Sequence, residues 1–92
     1  MKTVAQIFDH SRKQYAFWEE MAILTFTGGV LLRMEKKKVS KKELSRRMGV
    51  SPSLITKFLE GGNNFTLRTM VTMAHHLGCE LEIGLRPAVA SN

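Results

Sequence analysis

Ser51, Ser53, Thr56 and Lys57 place three hydroxyls and one ammonium within seven residues, behind a proline at position 52. On a helix begun by that proline they share the outer face. Short hydroxyl side chains let a helix enter a DNA major groove about 12 Å wide, and hydroxyls and an ammonium there can reach base edges. Pro52 has no polar group to offer, but its ring can touch a thymine methyl. A second set of residues is basic. Arg33, Lys36, Lys37, Lys38, Lys41, Lys42, Arg46 and Arg47 face only Glu35 and Glu43 in the same 15-residue stretch, eight charges against two. The rest of the chain carries six basic and six acidic residues, so the whole net charge of +6 sits in residues 33–47. So focused a charge favours a polyanion, because neutralising phosphates releases condensed counterions.

Other chemistry finds little footing. Glu19 and Glu20 are adjacent and fall in no motif that would make them an acid and base pair. His75, His76 and Cys79 offer at most three ligands and lack the recurring spacing of zinc modules, so no metal is expected. Gly61 and Gly62 do not form a phosphate loop. The chain is therefore read as a binding protein without a cofactor and not as an enzyme. No apolar run approaches the roughly 18–20 residues that span a bilayer, and the first 20 residues do not resemble a secretory leader. The one cysteine, Cys79, fits a reducing cytoplasm.

The elements that must position these residues follow from caps and periodicity. Ser40 with Glu43 three residues on forms a capping box, with Val39 placed as a hydrophobic staple against Leu44. A helix should run from Lys41 to about Met48 and stop at Gly49. Ser51 caps the next helix and Pro52 takes its first position, where a missing N–H is harmless. Leu44, Met48, Val50, Ile55 and Phe58 can share one core between the two helices. Thr66 caps a further helix ended by Gly78, with Leu67, Met70, Val71, Ala74 and Leu77 as its apolar stripe.

Upstream, Phe17, Met21, Leu24, Gly28 and Leu31 recur at spacings of 4, 3, 4 and 3 and predict one helical face, with Trp18, Ala22 and Phe26 beside it. Gly28 and Gly29 suggest a break, giving helices over about 8–25 and 28–37, although one continuous helix also fits the pattern. The methionines at 21, 34, 48, 70 and 73 mostly read as core fillers. After Gly78 the period becomes two. Cys79, Leu81, Ile83 and Leu85 alternate with Glu80, Glu82, Gly84 and Arg86, which predicts a strand ended by Pro87.

Residues 28–78 resemble the helix-turn-helix domain of the lambda-repressor-like, or XRE, transcriptional regulators. The resemblance is carried by Val39-Ser40-Lys41-Lys42-Glu43-Leu44, by Met48-Gly49-Val50-Ser51, and by Ile55-Thr56-Lys57-Phe58-Leu59-Glu60-Gly61. Asn63-Asn64-Phe65-Thr66 and the Leu77-Gly78 ending add to it. It implies a recognition helix bearing Ser51, Pro52, Ser53, Thr56 and Lys57 as base readers. It also implies phosphate contacts at Lys41 and at Asn63 and Asn64, and the motif places Lys42 and Arg46 on the same backbone-facing helix. Many family members carry glutamine where this chain has Pro52, so an adenine-reading amide is missing here. The segment Cys79-Glu80-Leu81-Glu82-Ile83 is similar to the last strand of antitoxin-type members, which neutralise a toxin and repress their own operon.

The expected architecture is all-α, with four or five helices and a C-terminal β-strand. An N-terminal extension (residues 1–27) precedes the DNA-binding domain (28–78), and strand and tail (79–92) follow. A lone strand has an open edge, and pairing it with a twin through Cys79, Leu81, Ile83 and Leu85 would satisfy that edge. The expected partners are double-stranded DNA, bound as a homodimer on a palindromic operator, and, for an antitoxin, a protein toxin.

Overall fold

Four helices make up the computed structural model, which describes residues 12–61 and 65–87: α1 (Arg12–Lys37), α2 (Lys41–Met48), α3 (Pro52–Leu59) and α4 (Leu67–His76). The predicted caps are in place. The Ser40, Ser51 and Thr66 side chains accept the backbone N–H three residues on, at 3.1, 3.2 and 3.1 Å. The capping box is only half formed, because the Glu43 carboxylate turns to Arg46 and Arg47 instead of reaching back.

Three helices end in one way. After α2, Gly49 is left-handed at φ 71°, and the N–H groups of Gly49 and Val50 donate to Arg46 and Ser45. Gly78 ends α4 in the same manner, with bonds from its own N–H to His75 and from Cys79 to Ala74. At the end of α1 the left-handed residue is Lys38, at φ 56°, with Lys38 and Val39 donating to Glu35 and Met34. This is the double bond of a Schellman ending, in which a β-carbon is unfavourable. Lys38→Gly is therefore expected to raise the unfolding free energy by about 1 kcal/mol, read as a higher urea midpoint with an unchanged slope.

Leu44 of α2, Ile55 of α3 and Met73 of α4 are fully buried at the centre. Val30, Met34, Val39 and Leu77 close around them, and Phe26, Met48, Val50, Phe58 and Phe65 pack on the outside. Phe65 stands between Phe26 and Phe58, with ring centres 5.1 and 5.5 Å away. Neither α2 nor α3 exceeds eight residues, a length at which a helix exists only through such packing.

One expectation about α1 changes. It runs unbroken through Gly28 and Gly29. Thr27, Val30 and Met34 are buried along one side of that stretch, and this packing outweighs the roughly 1 kcal/mol that each glycine costs. The start expected near residue 8 lies outside the described residues. The side of α1 that packs on the core is not the one that carries the 4, 3, 4, 3 repeat. Phe17, Trp18, Met21, Leu24 and Leu31 are all exposed, while Ile23 and Phe26 are half-buried. Of the methionines, Met34 and Met73 are buried and Met48 and Met70 half-buried, but Met21 is on the surface.

The C-terminal expectation changes too. Among the described residues there is no strand, and residues 79–87 follow an irregular path. Cys79 packs against the core, and its thiol reaches the Leu77 carbonyl at 3.5 Å. Leu81 is half-buried, while Ile83 and Leu85 are exposed. A ladder needs a second edge, and none lies among the described residues.

Candidate nucleic-acid interface

The recognition surface is built on α3. Ile55 fixes this helix by complete burial, with Leu54, Phe58 and Leu59 half-buried around it. The opposite side then points outward. Ser51, Pro52, Ser53 and Lys57 are exposed, and Thr56 is half-buried at the edge. The Ser51 oxygen accepts the Leu54 N–H, and its hydroxyl lies 3.1 Å from that of Ser53. Ser51 is thus engaged in holding the helix start, and Ser53 is the more open of the two hydroxyls.

Helix α2 packs on both α3 and α4. Lys41 and Lys42 are exposed in its first turn, and the side chain of Arg46 is 73% exposed. Arg47 donates to the His76 carbonyl at 3.0 Å. It thereby caps the end of α4, where a cation is favourable, and ties α2 to that helix. Lys41, Lys42 and Arg46 are thus exposed on the helix that packs against α3. Asn63 and Asn64 lie outside the described residues. His75, His76 and Cys79 do not converge, and no group of three or more metal-ligating side chains forms among the described residues.

Glu43 has a part the sequence reading did not assign. One carboxylate oxygen accepts from Arg46 Nη2 at 2.6 Å and from Arg47 Nε at 3.1 Å, and the other accepts from Arg46 Nε at 3.0 Å. The i,i+3 and i,i+4 spacings on one helix were the available signal. The two guanidinium partners lower the Glu43 carboxyl from 4.5 to about 2, chiefly through the Arg46 hydrogen bonds. Because the folded value lies below the ordinary one, the clamp contributes above pH 4.5 and is lost as pH falls toward 2. The difference in thermal midpoint between the wild type and Glu43→Gln is therefore expected to be constant at neutral pH and to shrink across that acid window.

A short helix crossing beside an outward-facing one, with lysines at its start and hydroxyls on its neighbour, defines a helix-turn-helix DNA-binding domain. The profile of a helix-turn-helix family matches residues 30–83, more than half of the chain. The chain belongs to that family and is a DNA-binding regulator of the XRE type. No curated protein and no solved structure matches it. Among the described residues, no helix is long and apolar enough to cross a membrane.

The matched region extends past α4 into residues 79–83, which form one wall of a groove of about 940 Å3. Its other walls are the Ala22, Phe26 and Gly29 side of α1 and Met70 and Ala74 of α4. Arg33 also lines it, with a buried Nε that has no hydrogen-bond partner.

Proposed function

We propose that this regulator binds a palindromic operator in the cytoplasm as a dimer and represses transcription by occupancy, without catalysing a reaction. The observation that carries this reading is the outward face of α3, where Ser53 and Lys57 are exposed and Thr56 sits half-buried at the rim, beside exposed Lys41 and Lys42 on α2. In this reading Ser53, Thr56 and Lys57 read bases, with Pro52 making apolar contact, while Lys41, Lys42 and Arg46 grip phosphates. A two-fold pair presents two such helices about one DNA turn apart, roughly 34 Å, which is why a palindrome is expected. Selection of bound sites from random duplex DNA tests it. The expected result is an inverted repeat with half-sites about 10 base pairs apart, and recovery of sequences with no shared motif would contradict it.

A rival reading is an antitoxin that neutralises a protein toxin and regulates its own operon. The resemblance of residues 79–83 to the last segment of antitoxin-type members favours it. Stoichiometric co-purification of a small protein encoded beside this one would decide for it.

A further inference from the structure

The outer face of α1 is the largest feature that DNA binding leaves unused. Helix α1 is apolar on two sides. One side, with Ile23, Phe26, Thr27, Val30 and Met34, packs on the rest of the chain. The other carries Phe17, Met21, Leu24, Gly28 and Leu31 at alternating spacings of 4 and 3, flanked by Trp18 and Leu32. Those large side chains are 42–56% exposed. Residues 14–22 are exposed one after another along the first turns of α1.

We propose that this face is a self-association surface, on which α1 of a second copy packs antiparallel and crosses near Gly28. Three observations favour a second copy as the occupant. First, an apolar repeat every 3.5 residues is the seam of helices that pack on a like seam, narrower than the stripe that faces a globular core. Second, a β-carbon built on Gly28 or Gly29 meets nothing of the chain within 4 Å, and neither glycine is left-handed. The fold itself has no use for glycine at either position, though each weakens a helix. A helix approaching from outside does have a use for them, because a bare backbone permits close contact. Third, the area suffices. The six exposed side chains of α1, with Ile83 and Leu85 across the groove, offer on the order of 800 Å2, the size of one side of a standard interface.

The antiparallel sense follows from charge. The excess of the chain lies at the C-terminal end of α1 and in α2. Parallel packing would set two such clusters side by side, whereas antiparallel packing separates them and brings Glu19 and Glu20 toward the basic end of the other copy. The C-terminal segment then borders the interface through Ile83 and Leu85 and is not its centre.

Sedimentation of the full chain at tens of micromolar tests the proposal, and no DNA is needed, so its outcome is independent of the DNA reading. The wild type is expected to be a dimer. Gly28→Arg places a long charged side chain at the crossing while leaving open space within one copy, and arginine favours the helix over glycine. It should raise the dimer dissociation constant about 100-fold or more, and the thermal midpoint should cease to depend on protein concentration while the helical circular dichroism is kept. Met21→Glu should act in the same direction. The pair Ile83→Glu with Leu85→Glu, at the rim, should weaken association by less than about tenfold. A monomeric wild type would overturn the proposal, as would a dimer that survives Gly28→Arg or one that only the Ile83 and Leu85 pair dissociates.

Discussion

Ile55→Ala is expected to lower the unfolding free energy by about 2–5 kcal/mol, the largest effect of any single change considered for this molecule. Ile55 has no exposed surface and lies at the centre of the contact among α2, α3 and α4. Truncation removes three carbons from a site whose neighbours, Leu44 and Met73, are themselves fully enclosed, so the cavity can collapse only partly. A domain of this size has roughly 5–14 kcal/mol in all, so the loss is a large share of the total. Urea denaturation followed by circular dichroism would read it as a lower midpoint. DNA affinity should fall in proportion to the unfolded fraction, and saturating operator should restore part of the lost stability, since ligand binds the folded state alone. A change below about 1 kcal/mol would mean that α3 is not anchored as described.

Lys57→Ala carries the second large effect. Lys57 is exposed one turn beyond Ser53 on the outer face of α3 and stands on no core position. Its removal should cost about 1–3 kcal/mol of operator affinity per subunit and relax the preference for one base, with binding to unrelated duplexes changed far less. Folding should be unaffected. Competition titration of the selected operator against a scrambled duplex separates the two quantities. Equal losses on both duplexes would make Lys57 a phosphate contact, and no loss on either would remove it from the interface.

Much of the DNA-binding half was legible in the residues. The caps at Ser40, Ser51 and Thr66 and the left-handed Gly49 and Gly78 fixed where the short helices begin and end, because few residue types perform those tasks. Leu44 and Ile55 were placed inside by spacing, which in turn put Ser53 and Lys57 outside. What escaped had physical reasons. Helix α1 is apolar on two sides, so periodicity could not say which stripe meets the core, and the stripe with the larger residues proved to be the outer one. Gly28 and Gly29 are helix-weakening by propensity, and only contacts distant in sequence hold the helix through them. The alternation at 79–85 matches a strand, but a strand is a relation to a neighbour, and the described residues offer none. Lys38 occupies a position where the rules expect glycine, so nothing marked it.

The outward face of α3 as the DNA-contacting surface is tested most directly by amide shift mapping of the labelled protein with a duplex carrying the selected site. The largest shifts should fall on Ser53, Thr56 and Lys57, with Lys41 and Lys42 responding to any duplex and losing that response as salt is raised. Shifts confined to α1 and residues 79–87, with α3 silent, would contradict the account.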